Sequence, residues 1–590
     1  MHLVLIETSG NQNYIFSTNK LRENVGASEL TWRTGAQWVL DAVSKVTGKP
    51  NLWADDADER RRNLCNSTIN VPIESGVPVE VITATSGKAL LLVDTNKAGQ
   101  EIIKNVTMWA LEKAPGLDIC GVISKPFKWD EDVLDKIMDD ARERLEQQRT
   151  LRPGPAMRFL RLPIIRDCRS SGFPAAKWHE KEESDDKAKS IASICKWEAQ
   201  EKYKERMQTP EMEKQGVNFV RNIGELEKLC EWIAVIHSDG NGLGEIFLKF
   251  GQHAGCSDAS RNRGYVKKLR RFSIALDICA EKAFLAALDE MIKRKSNVWF
   301  DLPILPILLG GDDMTVICDG QAALQFTHDY LQAFEEQTGK SHELFEKGSP
   351  QSQDDLLDIV AEIADAALKD RRLSACAGVA IVKPHYPFFS AYDLAEELIN
   401  SAKDEVKKHV VSPIKDKNNR DLPWPCSALD FHALYDSTAS ELDAIRSRLV
   451  RNGGQTRLWA RPYVVTSSRN LSGATEAGQD WAAKHHWKEL EARVGVILKP
   501  DENEEGRRAL PNSQLHDLRA GLFLGEKGAD ARYQLISHRY ENVSLKAFEE
   551  HPDTLFFEDE DSKDWTGKAT KLLDALDAAN FWVEKESKNK

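Results

Sequence analysis

The chain has no run of 18 apolar residues, so no transmembrane helix is expected. It has no CxxC pair. Its ten cysteines sit singly, most in apolar surroundings, which is the usage of a reduced, cytoplasmic protein and not of a disulfide scaffold. The opening MHLVLIETSGNQNY lacks a basic n-region and a small-residue cleavage site, so it reads as a buried strand and not as a secretory signal. There is no excess of positive charge either. With 80 Lys and Arg against 93 Asp and Glu, the net charge is −13. A general polyelectrolyte coat for nucleic acid is therefore not expected, although local basic grooves stay open. Compositional bias is also missing: 41% hydrophobic and 29% charged residues exclude collagen-like, mucin-like and wholly disordered chains. What is present is length. A chain of 590 residues exceeds one hydrophobic core and divides into three or four domains.

One order of elements occurs twice. Leu3–Ile6 is an apolar strand, followed by a helix from about Gly26 to Lys45. Residues 79–93 read as two strands around a turn at Thr85-Ser86-Gly87-Lys88. A helix from Lys97 to Lys113 and a strand at Leu117–Ser124 complete the unit. The second unit opens with the strand Trp232–His237 and the long helix Val266–Lys293, with Phe272, Leu276, Cys279, Ala283 and Ala287 on one stripe. The hairpin ILPILLGGDDMTVI, a helix at Gln321–Gln337 and a strand at Ser374–Val382 follow. Strand, helix, hairpin, helix, strand is the core order of a ferredoxin-like or polymerase-palm sheet. The closing strands agree in letters, CGVISKPF against CAGVAIVKPHYPF, and an acidic amphipathic helix follows each, so the order reads as an internal duplication. The expected fold class is α+β: a first palm over residues 1–128, a charged helical inter-palm segment over 129–228, a second palm over 229–410, and a linker with a helical C-terminal domain over 411–590. Candidate helices there are Leu442 to Leu449, Trp487 to Leu498 and Lys568 to Phe581, and the final EKESKNK reads as frayed.

The sharpest chemical signal is LLGGDDMTVI. Gly310 and Gly311 permit a tight turn and close approach of backbone to phosphate, and Asp312 and Asp313 follow at the hairpin tip. Adjacent side chains on a strand point opposite ways, so one carboxylate faces a site directly and the other reaches it through the twist of the turn. Neighbouring carboxylates in apolar sequence repel unless a cation joins them, and a hard cation, Mg²⁺ or Mn²⁺, suits oxygen ligands. The second signal is HSDGNGLG, in which Asp239 ends an apolar strand that a palm sheet places beside the hairpin. Alone it is a glycine turn. With the hairpin it offers carboxylates from neighbouring strands, the arrangement of metal-assisted nucleotidyl transfer. Ser238, Gly240 and Asn241 are candidate nucleotide-binding residues there, with Gly242 and Gly244 letting the backbone wrap phosphate. Ser273 on the long helix is a candidate for base or ribose contact. Lys403 is a candidate to face a triphosphate, against the plain alternative of a solvated lysine. The basic run Lys267-Lys268-Leu269-Arg270-Arg271 is either a solvated face or a counterweight to polyphosphate or RNA. The first hairpin turn, Thr85–Lys88, has no carboxylate and is not expected to hold a catalytic metal, though Ser86 and Lys88 could touch a phosphate.

HSDGNGLG, LLGGDDMTVI and VKPHYPFFSAYDLAEELINSAK together resemble the catalytic palm of the large polymerase/cyclase subunit of type III CRISPR effector complexes, in its Cmr-type form. TSGNQNYIFSTNKLRENVGASELTW is similar to that subunit's first palm, CRSSGFPA to its Cys-containing segment between the palms, and LDFHAL and ARPYVV to segments beyond its second palm. The resemblance implies conversion of ATP to cyclic oligoadenylate in antiviral defence, with metals held by Asp239, Asp312 and Asp313. It implies as partners ATP, guide and target RNA and other effector subunits, with self-association open and no membrane. Two departures matter. The palm begins at residue 3, so the HD nuclease domain of many members is not expected, and His328-Asp329 and His516-Asp517 read as isolated surface pairs. Ser171 stands where the family's inter-palm zinc motif has a second cysteine, leaving Cys168, Cys195 and His179, so zinc is not expected. Two other readings compete. One is chiefly a scaffold subunit binding guide or target RNA and partner proteins. The other is a diguanylate-cyclase-like enzyme, which Asp313-Met314 disfavours.

Overall fold

The structure, a computed structural model, describes residues 1–179, 187–207, 218–220, 223–294, 301–415, 419–435, 441–501, 507–541, 543–562 and 565–583. Two sheets of one topology organise it. In the first, the hairpin strands Val79–Thr85 and Lys88–Val93, the opening strand His2–Ser9 and the closing strand Asp118–Ile123 lie side by side in that order. Leu3–Ile6 is an unbroken apolar run because both faces of its strand are covered, and all four side chains are buried. In the second sheet the same four places are taken by Ile304–Gly310, Asp313–Asp319, Ile233–Gly240 and Ala375–Val382. The fold class is therefore α+β with two ferredoxin-like palms, as the element order implies.

The two frames match in detail. In each hairpin a register shift falls at the same distance from the tip, between Val81 and Thr83 in one and Pro306 and Leu308 in the other. The opening strands end alike, with Gly10 and Gly242 at φ 61° and 71° capping a short helix. Glu7 pairs with Cys120 on the closing strand, and Asp239 pairs with Cys376.

Several elements differ from the sequence reading. The helix expected from Gly26 to Lys45 is two, Leu21–Gly35 and Gln37–Thr47, and the break lies where the first hairpin tip packs so closely on Gly35 that a Cβ would collide with the Thr85 carbonyl. The inter-palm segment holds the helices Leu134–Thr150 and Ile191–Met207, but Pro153, Pro155 and Pro163 keep the stretch between them from continuing the helix. The linker after the second palm forms a hairpin, Val411–Lys415 with Asp421–Pro423. Strands Ala428–Ala433 and Tyr463–Val464 extend the second palm sheet, and Val450–Arg451, Thr456–Arg457, Trp565–Ala569 and Phe557–Ser562 form a separate sheet among the C-terminal helices. Strands this short carry too little alternation to separate from helix by pattern. The expected helix at Lys568 thus begins inside a strand and starts at Leu572. The final EKESKNK lies outside the described residues.

The palms meet on the long helix Asn262–Arg294. One of its faces packs on the helix Gly320–Thr338 and another on the first-palm strand Val79–Thr85. At that second contact Glu80, fully buried, accepts from Arg263 at 2.7 Å and Arg270 at 2.7 Å. Burial alone would raise the Glu80 carboxyl, but the two guanidiniums outweigh it and hold it below the usual range. Glu80→Ala leaves both arginines without their buried partner. The expected loss is about 3–5 kcal/mol of unfolding free energy. Denaturant unfolding measures it, and a loss under about 1 kcal/mol would show that the palms do not dock through this pair.

Candidate metal and nucleotide site

Asp239 ends the opening strand of the second palm, Asp312 is the second residue of the hairpin turn, and Asp313 starts the returning strand. One oxygen from each lies within 4.8 Å of the others, the only such set of three or more His, Cys, Asp or Glu groups among the described residues. Two glycines allow this. Gly311 takes φ +65°, a conformation that favours glycine, at the first turn position. Gly240 lets the turn approach, since a Cβ there would lie 2.8 Å from the Asp312 Cβ. Both carboxylates of the pair thus reach the site, the turn carrying Asp312 in as anticipated.

The electrostatics are those of crowded like charges. Burial, and then the charge of Asp239, raise the Asp312 carboxyl to about 7. Burial and the charges of Asp312 and Asp239 raise Asp313 well above its ordinary value. Asp239 goes the other way: burial pushes it up, but Lys403 and the hydrogen bond from Asp313 outweigh that and hold it low. The Lys403 ammonium bonds Asp239 directly and lies 3.3 Å from the Gly240 carbonyl. Lys403 is therefore seated on the carboxylate cluster and is not a solvated lysine. His237, two residues before Asp239 on the same strand face, carries no local signal in the sequence. Burial lowers it to about 4, so it stays neutral while its Nδ1 lies 2.9 Å from the Thr315 hydroxyl. Three carboxyl groups, two of them held protonated by burial and then by mutual repulsion, fit a hard divalent cation once those protons are released.

Asp312 and Asp313 border a cavity of about 450 Å³ between the palms, whose lining does not include Asp239, Gly240 or Lys403. Ser273, Gly310 and Gly311 line it from the second palm, and Ser86 and Lys88 from the first. Ser238 and Asn241 do not reach it. Ser238 alternates to the opposite strand face and is fully buried. Asn241 turns inward, donating to the Ser374 hydroxyl at 3.0 Å and the Cys426 carbonyl at 2.9 Å. The basic run is also committed elsewhere: Lys267 pairs with Asp354 at 3.0 Å, Arg270 with Glu80, and Arg271 with Asp354 at 3.4 Å. These pairs come from distant segments, which the sequence does not reveal.

Register assigns the first-palm counterparts. Ala89 faces Ile6 as Met314 faces Ser238, so Glu7 occupies the place of Asp239 and Lys88 that of Asp313. The Lys88 ammonium lies 3.2 Å from Glu7, which Arg149 also contacts at 3.0 Å. The first palm thus retains one carboxylate and meets it with fixed side-chain cations. The signal for Glu7 is present in the aligned pair Glu-Thr-Ser-Gly and Asp-Gly-Asn-Gly.

The inter-palm cysteine segment does not fit a closed zinc site. Cys168, Ser171, Ser190 and Ser193 have the spacing of two CxxC pairs with one thiol remaining. Ser171 and Ser190 hydroxyls lie 2.9 Å apart, and Cys168 Sγ lies 3.5 Å from the Ser193 hydroxyl. Burial pushes the Cys168 thiol up, but hydrogen bonds from Ser170, Ser171 and Ser193 outweigh it and bring it to about 6. Cys195 faces the Glu112 carbonyl instead. The HD pairs are packed: Asp329 pairs with Arg294 and His328 stacks on Trp487, while Asp517 pairs with Arg532 at 2.7 Å.

Residues 232–412 match the family model "Cas10/Cmr2, second palm domain". No curated protein matches the sequence. Among solved structures, the chain is similar to Csm1 in T. onnurineus at 12% identity, covering 98% of this chain and 69% of that one with a TM-score of 0.47. It is similar to a Csm1–Csm4 cassette in complex with cA3 at 12% identity, covering 99% and 70% with a TM-score of 0.47. A third likeness is to a Csm1–Csm4 cassette in complex with pppApA, at 13% identity and a TM-score of 0.38, covering 72% of this chain and spanning 56% of the length of that one. The family match thus falls on the residues that hold Asp239, Asp312 and Asp313, and it is to the same type of large subunit that the motifs resemble.

The raised carboxyls set a pH dependence. The folded, metal-free protein keeps protons at Asp312 and Asp313 that the unfolded chain releases near 3.8, so stability falls as pH rises from there toward about 7. A cation binds the deprotonated form, so Mg²⁺- or Mn²⁺-induced stabilisation should grow over the same rise. Thermal shifts at roughly pH 5.5 and 8 read this, and equal metal effects at both would refute it. A second expectation concerns zinc. Ser171→Cys, Ser190→Cys and Ser193→Cys combined complete a four-thiolate set, and elemental analysis should find about one zinc per chain in that variant and none tightly held in the native protein.

Proposed function

We propose that the chain is a metal-dependent nucleotidyltransferase that converts ATP to a cyclic oligoadenylate, acting as the large subunit of a type III CRISPR effector complex. The observation that carries this is the meeting of Asp239, Asp312 and Asp313 beside an inter-palm cavity that Asp312 and Asp313 line, within residues that match the Cas10/Cmr2 second-palm model. Adenylate, the cyclic product, the guide and target RNA and the partner subunits come from the resemblance.

The cavity volume lies in the range of small-molecule sites, roughly 300–1,000 Å³. Its two sides suit two nucleotides. On the second-palm side Asp239, Asp312 and Asp313 would hold Mg²⁺ or Mn²⁺, which when bound supplies Lewis-acid polarisation of phosphate oxygen and of an attacking hydroxyl. Gly310 and Gly311 leave room for phosphate beside the turn, and Ser273 offers a hydroxyl from the long helix. Lys403 puts a positive charge beside Asp239, where negative charge builds up during transfer. On the first-palm side Ser86 and Lys88 can meet a second nucleotide without carboxylates. In each step a 3′-hydroxyl gives up its proton to a carboxylate or to solvent, its oxygen bonds the α-phosphorus, the bond to the α–β bridging oxygen breaks, and pyrophosphate leaves. His237 lines the cavity, but it is buried with both ring nitrogens engaged and its basicity lowered by burial, so the carboxylates are the stronger candidates for a general base.

The test is incubation of purified protein with each labelled NTP and Mg²⁺ or Mn²⁺, with and without bound RNA, with products identified by mass spectrometry. Asp312→Ala with Asp313→Ala, and separately Asp239→Ala, should lower product formation by at least about two to three orders of magnitude, the scale of losing a main electrostatic stabiliser. Metal-free thermal stability should hold or rise, because truncation relieves repulsion. Near-normal turnover by Asp239→Ala would break the two-strand site. A native protein that makes no product from any NTP, yet copurifies with RNA, would favour the scaffold reading.

A further inference from the structure

Asp277 lies on the long helix one turn beyond Ser273 and is not among the grouped carboxylates. Its Oδ1 accepts the backbone N–H of Gly311 at 3.1 Å. Its Oδ2 accepts from Arg61 Nη2 at 3.2 Å. Arg61 belongs to the helix Ala57–Cys65 of the first palm and is 9% exposed. The same Nη2 also donates to Glu281 at 2.6 Å, one helical turn past Asp277. A short path of hydrogen bonds therefore runs from a buried first-palm guanidinium, through one carboxylate, to the amide of the turn residue that precedes Asp312 and Asp313.

That amide is a telling place to hold. The turn is two residues long, its first residue has a positive φ, and the two carboxylates after it repel each other. Nothing in the hairpin ladder fixes the Gly311 N–H, because the ladder ends at the Gly310–Asp313 pair. An acceptor oriented by a buried arginine restrains the turn far better than a mobile carboxylate or water would.

We propose that Asp277 and Arg61 are positioning residues that form an inter-palm latch, setting the geometry of the Gly311–Asp313 turn according to how the first palm is docked. The proposal rests on the nucleotidyltransferase reading above for its kinetic form. Both side chains line the cavity, and neither is one of the three grouped carboxylates. Signals that shift the first palm relative to the long helix would be felt at the turn through this pair.

The test compares full-length Asp277→Ala, Asp277→Asn, Arg61→Ala, the double variant and Glu281→Gln. Asp277→Ala and Arg61→Ala should each lower kcat between about ten- and a hundredfold with KM changed less than about threefold, as for misplacement without lost substrate contact. The double variant should be no worse than the more damaged single, because both break one path. Asp277→Asn keeps an acceptor for Gly311 but loses the ion pair, so its kcat should lie between native and Asp277→Ala. Glu281→Gln weakens the same interface without touching the turn and should move melting temperature but not kcat. Additive losses, a kcat within about twofold of native in Asp277→Ala, or an equal kcat loss in Glu281→Gln would each overturn the latch. Should the native protein make no product, Mn²⁺ titration followed by thermal shift replaces kcat. Weaker Mn²⁺ stabilisation in Asp277→Ala and Arg61→Ala than in Glu281→Gln then supports the latch, and equal stabilisation in all three refutes it.

Discussion

Mutual repulsion among three carboxylates is the constraint around which the second palm is built. Asp239, Asp312 and Asp313 come from two strands and a turn, and their oxygens converge within 4.8 Å. In water such a cluster disperses. Here the pairing of the hairpin with the opening strand holds Asp313 beside Asp239, and a glycine without a Cβ lets Asp312 come in over Gly240. The repulsion is then met in three ways: protons retained at Asp312 and Asp313, a lysine on Asp239, and room for a cation. Each leaves the site in a different charge state, and the same geometry that is costly without counter-charge suits a divalent cation.

The first palm resolves the same backbone differently. Its strands pair in the same register with the same bulge, so the side-chain positions correspond one to one. There Glu7 is met by Lys88 at the place of Asp313 and by Arg149 from the helix Leu134–Thr150, where the second palm has further carboxylates. The charge is balanced within the protein, and no divalent ion is called for. One duplicated frame thus offers two sides of a cavity with opposite needs. One wants a cation brought in, and the other already presents one. That asymmetry would suit the proposed transfer step, with a donor on metal and an acceptor held by fixed charge.

How much of this is legible in the sequence depends on whether the information is local. The GG-Asp-Asp turn and Asp239 are legible, because two glycines before paired acids and an acid at the end of an apolar run are local patterns. The palm order is legible for the same reason, since each element is long or strongly periodic. Ser238 and Asn241 are suggested by proximity in sequence, but strand alternation turns one away, and Asn241 serves the Ser374 hydroxyl and Cys426 carbonyl. Asp277 and Arg61 are invisible because 216 residues separate them and only palm docking joins them. The basic run at Lys267 misleads for the opposite reason. It looks unpartnered until distant Glu80 and Asp354 supply its acids.

The palms are joined by buried charge as well as by apolar contact, with a consequence for the cavity. A buried ion pair adds little net stability relative to a well-packed apolar pair of the same shape. Its geometry, however, is narrow. A guanidinium must meet its carboxylate at hydrogen-bond length and in its own plane, whereas an apolar surface slides with small loss. Glu80 between Arg263 and Arg270, and Arg61 between Asp277 and Glu281, place two such joints on one helix, on either side of Ser273. A cavity bounded by both palms keeps its dimensions only if their relative position is fixed to a fraction of an ångström. Placing buried charge at the joint, rather than a larger apolar contact, favours that precision next to the hairpin that carries Asp312 and Asp313.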